Sequence, residues 1–287
     1  MTDGRKLLLA MSLGSLGIAS GCKDPLPEGP VDLTSPPRCT YRSDPSISDP
    51  AAGCGVANPP TGVLDLAPLS NGTPKGILVV PPNAGTTPLP LIWVFHGAYA
   101  TPQDIRDTFQ LEPAVDGGAI IAYLRAGRGT WDVGSGSTDV LAVLTITEQL
   151  AQQYCIDRDR VFAAGFSAGA VFTLDLECLN PRTFRAITAV AGTEDRFDTR
   201  CCTGKESALL IHGDTDDTIG IAGSIAAVDR IGAFDGCAPA SVPLDGHCVE
   251  YPGCSDGKAL AFCRHPDGHV VPPWAAQEAW TFFQRFE

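Results

Sequence analysis

The stretch Val161-Phe162-Ala163-Ala164-Gly165-Phe166-Ser167-Ala168-Gly169 decides the fold of this chain. Its last five residues have the form G-x-S-x-G, its first four form an apolar run typical of a buried strand, and a helix-like segment follows. At such a strand-to-helix corner, a sharp turn holds the serine hydroxyl at the edge of a sheet, and the glycines allow close packing. We therefore predict that Ser167 is a nucleophile; the alternative is a glycine-rich turn with an ordinary serine.

Strand-like and helix-like segments alternate along the rest of the chain. The predicted strands cover residues 77–80, 91–95, 119–124, 161–164, 186–190 and 208–211. One predicted helix begins at Thr101-Pro102, a second is capped by Thr138 and runs to about Tyr154, a third follows Ser167 as far as Asn180-Pro181, and the last closes the chain over 273–286. This alternation predicts an α/β fold with a mostly parallel sheet and helices on both faces. Ligands in such folds bind at the carboxyl ends of the strands, where Ser167 lies.

A serine hydroxyl needs a base to accept its proton and an acid to orient that base. In hydrolases with this kind of turn the three groups follow in the order Ser, Asp or Glu, His. Here Asp216 follows the predicted strand 208–211, and His269 precedes the final predicted helix. We therefore predict a catalytic triad of Ser167, Asp216 and His269.

Other residues near these positions compete for the same roles. His247 and His265 also follow the predicted acid in sequence and are the alternatives to His269. For the acid, the alternatives are Asp214, Asp217 and, after another strand, Asp195.

The oxyanion that forms during acyl transfer needs two N–H donors. We expect one from Ala168, directly after the nucleophile, and one from Ala98 in the turn after the central strand. His96 opens that turn, and we interpret it as structural. Substrate contacts are expected from three aromatic residues: Trp131, Tyr99 and Trp274.

The N-terminus has the pattern of an export signal. Arg5 and Lys6 precede a short apolar segment over residues 7–20, and small residues lead to Cys22. Ordinary cleavage would release a secreted protein, whereas lipidation of Cys22 would anchor the protein to the bacterial cell envelope. Since removing Cys22 from the 11 cysteines leaves an even number that can pair, we favour residues 1–22 as a lipoprotein-type signal.

The remaining chain divides into a proline-rich tether at residues 23–60 and a catalytic domain at 61–287. The formal net charge of −13 argues against nucleic acid and anionic membrane surfaces as partners, so membrane contact is expected only through a lipid at Cys22. We expect a monomer that needs no cofactor. The spacings of Cys248, Cys254 and Cys263 match no common zinc pattern, so we expect disulfide bonds and no metal.

The chain from about residue 91 resembles the esterases that include polyhydroxybutyrate depolymerase-like proteins and the feruloyl and acetylxylan esterases of carbohydrate esterase family 1. The matching pieces are residues 91–97, 131–134, 139–140, 154–169, 184–192, 212–216 and 268–269. The resemblance implies an α/β-hydrolase fold, a serine esterase without a cofactor, and the triad Ser167, Asp216 and His269. Departures at Ala170, at Ala98-Tyr99 and between His269 and Trp274 leave the substrate open.

These observations favour an exported serine esterase. Its substrate would be a feruloyl or acetyl ester of plant polysaccharide, or a polyester such as polyhydroxybutyrate. Two alternatives remain: a non-catalytic surface lipoprotein that binds polysaccharide on a hydrolase fold, and a serine peptidase of the same fold.

Overall fold

The computed structural model describes residues 34, 53–66, 76–134, 136–179, 183–203, 206–244 and 246–286. The predicted signal at residues 1–22, most of the predicted tether and the predicted helix stop at Asn180-Pro181 lie outside these residues. Within the described part of the chain, no helix has the length and apolar character needed to cross a membrane.

A single mixed sheet of ten strands organises the described residues. The strands are β1 (Gly62–Leu66), β2 (Gly76–Val80), β3 (Leu89–Phe95), β4 (Ile120–Leu124), β5 (Ile156–Phe166), β6 (Ala186–Val190), β7 (Ser207–Gly213), β8 (Val242–Pro243), β9 (Cys248–Tyr251) and β10 (Leu260–His265). Their spatial order is β1-β2-β4-β3-β5-β6-β7-β10-β9-β8. In this spatial order, the six neighbouring strands β4, β3, β5, β6, β7 and β10 run parallel. The pairings of β1 and β2 at one edge, and of β9 and β8 at the other, are antiparallel. The prediction of a mostly parallel sheet is confirmed.

Six α-helices cover the two faces of the sheet in the described part of the chain. They are α1 (Pro102–Phe109), α2 (Leu111–Val115), α3 (Thr138–Gln153), α4 (Ala168–Leu179), α5 (Ala222–Asp235) and α6 (Ala275–Phe283). Buried residues of α3, α4 and α5 belong to one hydrophobic core, and those of α1, α2 and α6 belong to the other. The central strands are buried on both faces, which explains their mostly apolar sequences.

Two helix boundaries differ from the prediction. Helix α3 is capped by Ser137, whose hydroxyl accepts a hydrogen bond from the Val140 N–H at 3.0 Å, and Thr138 is the first helical residue. The Thr138 N–H and hydroxyl instead donate to the carboxylate of Asp132, and this tertiary contact moves the boundary by one residue. Helix α6 begins at Ala275, two residues later than predicted, and a short 3₁₀ turn continues it to residue 286.

Disulfide bonds tie the periphery of the fold to its centre. They join Cys54 to Cys155, Cys178 to Cys202, Cys237 to Cys254 and Cys248 to Cys263. The first bond attaches the end of the predicted tether to the start of β5. The three cysteines considered as metal ligands in the sequence all belong to disulfides, so their thiolates are not available to a metal. Bonds of this number are typical of an oxidising compartment.

Candidate active site

The G-x-S-x-G stretch forms a tight corner between β5 and α4. Ser167 stands between the two elements with a φ of +56°, a left-handed conformation that few residues other than glycine adopt. Its N–H donates to the Val190 carbonyl at 3.0 Å, which fixes the corner against β6. A Cβ at Gly165 would collide with the Gly169 carbonyl, and one at Gly169 would collide with the backbone of Phe95. The two glycines are therefore required by close backbone contacts.

Three side chains that are far apart in sequence meet at this corner. The Ser167 Oγ lies 2.8 Å from His269 Nε2, and His269 Nδ1 lies 2.7 Å from Asp216 Oδ2. They come from the ends of β5, β7 and β10, whose carboxyl ends share one edge of the parallel sheet. The arrangement is that of a nucleophile, a base and an orienting acid.

The carboxylate of Asp216 is held from both sides. Its Oδ1 accepts hydrogen bonds from the Thr218 and Ile219 N–H groups, each at 2.9 Å, while Oδ2 faces His269. Burial alone would raise the pKa of Asp216, but the hydrogen bonds from His269 and the two backbone N–H groups hold that pKa below its ordinary value. Asp216 is therefore a carboxylate at neutral pH, as the orientation of an imidazole requires.

The alternative acids lie elsewhere. Asp214 forms an exposed ion pair with Arg264 at 2.7 Å, and Asp217 is exposed to solvent. Asp195 accepts a hydrogen bond from the hydroxyl of Thr193 at 3.0 Å.

The alternative bases have different partners too. The ring of His247 stacks on Trp274 at 4.9 Å between centroids. His265 is buried against the edge of the same indole at 6.2 Å. Of the three histidines, the structure brings His269 to Ser167.

The turn after β3 lies directly beside the serine. A Cβ at Gly97 would stand 3.5 Å from the Cβ of Ser167. The backbone N–H of the next residue, Ala98, therefore lies in the turn beside the serine. The N–H groups of Ala98 and Ala168 donate no hydrogen bond to any part of the chain that the structure describes. Two N–H groups without a partner, on either side of a nucleophile, are what an oxyanion needs.

His96 holds this turn in place. Its Nδ1 lies 2.7 Å from the Gly97 carbonyl and its Nε2 lies 3.1 Å from the Ala126 N–H, so the ring donates from Nδ1 and accepts at Nε2. Burial lowers the pKa of His96, which keeps the imidazole neutral and suited to both contacts. These contacts agree with a structural role.

The three aromatic residues predicted to contact substrate differ in position. Trp131 is 1% exposed, stacks on Phe172, and donates its indole N–H to the His96 carbonyl at 2.7 Å. It is therefore a core residue that supports the turn after β3. The sequence predicted a substrate contact for it instead. Tyr99 is 69% exposed and lies beside Gly129, two residues after Gly97 in the turn that follows β3. Trp274 is partly buried, between His247 and the core.

Phe166 is a neighbour of the base that the sequence analysis missed. Its ring lies 4.9 Å from the His269 ring, centroid to centroid. It therefore limits the positions that the imidazole can take beside Ser167. The sequence did contain a signal for this contact: Phe166 lies between the first glycine and the serine of the motif, directly before the nucleophile.

Comparison with known proteins gives one family match and a group of esterase relatives. Residues 121–203 match the prolyl oligopeptidase family, which is less than a third of the chain. Probable feruloyl esterase C of Aspergillus niger is 28% identical over 193 residues, covering 62% of this chain and 69% of the relative. Feruloyl esterase D of Neurospora crassa is 24% identical over 266 residues, covering 83% of this chain and 91% of the relative.

A solved structure has the same architecture. The acetyl xylan esterase from Aspergillus awamori superimposes with a TM-score of 0.60 at 15% identity, covering 73% of this chain and 93% of the other. At that identity the likeness concerns the fold alone.

Proposed function

We propose that this chain, an α/β-hydrolase and carboxylic ester hydrolase, is a serine esterase that works through an acyl-enzyme on Ser167. The observation that carries the proposal is the unbroken hydrogen-bonded chain from Ser167 through His269 to Asp216. A serine in this arrangement loses its proton to the imidazole as it attacks, which an isolated hydroxyl cannot do at neutral pH.

The first half of the reaction follows from these distances. Ser167 Oγ bonds to the ester carbonyl carbon while its proton moves to His269 Nε2, 2.8 Å away. The carbonyl oxygen becomes an oxyanion and accepts hydrogen bonds from the Ala98 and Ala168 N–H groups. When the intermediate collapses, the bond to the alcohol oxygen breaks and His269 delivers its proton to that oxygen. The alcohol leaves, and the acyl group remains on Ser167.

The second half repeats these steps with water as the nucleophile. Water gives a proton to His269 and bonds to the acyl carbon, and the bond to Ser167 then breaks as His269 returns that proton to Ser167 Oγ. Throughout both halves Asp216 stays ionised, holds the Nδ1–H of His269 and stabilises the imidazolium. The products are a carboxylic acid and the restored serine.

A feruloyl or acetyl ester of plant polysaccharide is the substrate that we favour. The two relatives described above are named feruloyl esterases, and the superimposed structure is an acetyl xylan esterase. The exposed ring of Tyr99 in the turn after β3 offers an aromatic face to a hydroxycinnamoyl group or a sugar. A polyester such as polyhydroxybutyrate is the other ester to be tested.

Export fits both this substrate and the disulfide bonds. Insoluble polysaccharide cannot enter a cell, so its esterase must act outside. We propose that the chain is exported and held at the cell envelope through a lipid on Cys22, with residues 23–60 as the tether.

A serine peptidase is the second candidate, because the family match is to the prolyl oligopeptidase family. The matched residues 121–203 run from β4 past α4 and so contain the strand–turn–helix corner. That corner serves ester and amide hydrolysis alike. The choice between the two therefore rests on the substrates that the protein cleaves.

The deciding experiment measures hydrolysis of methyl ferulate, acetylated xylan, polyhydroxybutyrate and a peptide amide side by side. We expect turnover of at least one ester, and a loss on the order of 10⁴-fold or more in Ser167→Ala. Ser241→Ala, at an exposed serine near the sheet edge, should keep wild-type turnover. Cleavage of the amide alone would favour the peptidase. A folded wild-type protein without any turnover would favour the non-catalytic binding protein.

A further inference from the structure

A second histidine, His212, lies under the acid of the site. It is the penultimate residue of β7 and is completely buried. Its Nε2 lies 2.8 Å from the Ile219 carbonyl oxygen and 3.3 Å from Asp216 Oδ2. The same Asp216 oxygen is 2.7 Å from His269 Nδ1, so it lies between two imidazoles.

The partners of His212 decide which nitrogen carries its hydrogen. Both groups near Nε2 are acceptors, so Nε2 must be protonated. Nδ1 lies 2.7 Å from the Ser224 hydroxyl, which can donate as well as accept. Burial lowers the pKa of His212 despite the opposing effects of the Ile219 carbonyl and Asp216, so the ring is neutral near pH 7. The Ser224 hydroxyl also lies 2.9 Å from the Gly192 carbonyl oxygen, so its one proton is shared between that oxygen and Nδ1, which carries no hydrogen in the neutral ring.

We propose that His212 is a positioning residue for the reaction, with its Nε2–H anchoring the Asp216 carboxylate and the loop at Ile219 so that Oδ2 faces His269. This role rests on the proposed function. It extends the hydrogen-bonded chain to five side chains: Ser167, His269, Asp216, His212 and Ser224. His212 touches neither the nucleophile nor the substrate, and it acts through Asp216.

The geometry explains why a donor is needed at this place. The Thr218 and Ile219 N–H groups bind Oδ1 of Asp216, which leaves Oδ2 to be fixed by side chains. With His269 as its sole donor, Oδ2 would follow the movements of a side chain that must itself be held. The buried Nε2–H of His212 supplies a second point of attachment from the sheet. Small displacements of catalytic groups reduce rates strongly, so the attachment affects turnover.

Three titratable groups act on His212 in the described part of the chain. Asp216 attracts its proton, while His269 and His265 repel it when they are charged. Loss of the His212 donor leaves the Asp216 carboxylate with a less shared charge. That carboxylate then holds the imidazolium form of its other partner more strongly.

Two substitutions separate the two ring nitrogens of His212. The amide of Asn takes the place of Nδ1, so His212→Asn keeps a partner for Ser224 and removes the donor toward Asp216. The longer Gln places its amide N–H near Nε2, so His212→Gln keeps that donor. His265→Asn serves as the matched control, because His265 is an equally buried histidine on the neighbouring strand without a hydrogen bond to the carboxylate.

The measurements are kcat, KM and the pH profile of kcat/KM on whichever ester the wild type cleaves. For His212→Asn we expect kcat to fall about tenfold to a hundredfold with KM little changed. The acid limb of its profile should move to higher pH by about half a unit. His212→Gln should recover most of the rate and the wild-type limb, and the limb of His265→Asn should not move.

The role of His212 would be overturned if His212→Asn and His212→Gln had the same kcat as each other and both kept the acid limb of the wild type. If His212→Asn does not fold, as judged by circular dichroism, His212→Met replaces it, because the thioether fills similar space and carries no N–H donor. We expect that variant to shift the acid limb in the same direction, and an unshifted limb would again refute the role. An active wild type with an unaffected His212→Asn refutes this inference alone, whereas an inactive wild type or an active Ser167→Ala refutes the proposed function as well.

Discussion

Asp175 gives the fold a dependence on pH that can be measured. It is a fully buried residue of α4, where its Oδ2 accepts a hydrogen bond from the Gly134 N–H at 2.9 Å. Its Oδ1 has no hydrogen-bond partner within the described ranges. Burial raises the pKa of Asp175 from 3.8 to about 7, with the Gly134 N–H opposing and the charge of Asp132 adding to that rise. The folded state therefore binds this proton more tightly than the unfolded chain.

The sign and the size of the effect follow from that difference. Because the pKa is higher in the folded state, the contribution of Asp175 to stability is complete below about pH 4 and is lost as the pH rises through 7. Between pH 5 and pH 8 the linkage relation gives a loss of about 2 to 3 kcal/mol from this carboxyl. Glu177 and Glu206, whose pKa values burial raises to about 7 and about 8, act in the same direction.

Asp175→Asn removes the ionisable group and keeps an oxygen for the Gly134 N–H. Urea unfolding of both proteins at pH 5, 6, 7 and 8 gives the free energy of unfolding. We expect the variant to gain about 2 to 3 kcal/mol relative to wild type between the two ends of this range. At pH 5 it should be the less stable protein, because its buried amide N–H₂ has no acceptor. A difference that does not change with pH would refute the reasoning, since the other carboxyls are present in both proteins.

Three further substitutions test other parts of the structure. Replacing both Cys54 and Cys155 with Ala should lower the free energy of unfolding by up to about 5 kcal/mol, because the bond closes a sequence separation of 101 residues; urea unfolding that matches the wild type would contradict this. Tyr99→Gly suits the φ of +59° and should keep the melting temperature, while KM for methyl ferulate rises about threefold to tenfold; an unchanged KM would exclude Tyr99 from the substrate site. Trp131→Phe removes the hydrogen bond to the His96 carbonyl and should lower kcat about tenfold, with a retained kcat as the contrary result.

Most of the interior of the sheet was predictable because its strands are buried on both faces, but the parallel strand β10 was not predicted. Strand β3 and strand β6 are short, mostly apolar runs between turn residues, a pattern typical of buried strands. The edge strands were not predicted. Strand β8 has two residues and β9 has four, too few to show an alternation.

The candidate site was predictable in its order more than in its detail. The motif at Ser167, the position of Asp216 after a strand and the position of His269 before the last helix follow from the chain order that such turns require. Burial of a tryptophan does not follow from sequence: Trp131 packs on Phe95 and Phe172, which are distant in the chain. The contact between His212 and Asp216 could not be predicted for the same reason, because it forms only when the loop from Asp216 to Ile219 folds back over β7.

Labelling with a fluorophosphonate tests the central claim most directly, because the reagent reacts with a serine whose hydroxyl is activated by a neighbouring base. Mass spectrometry of the labelled protein would identify the modified peptide. We predict a single adduct on Ser167, formed at a rate that falls on the order of a thousandfold in His269→Ala. An adduct on a different serine, or labelling of His269→Ala at the wild-type rate, would contradict the account.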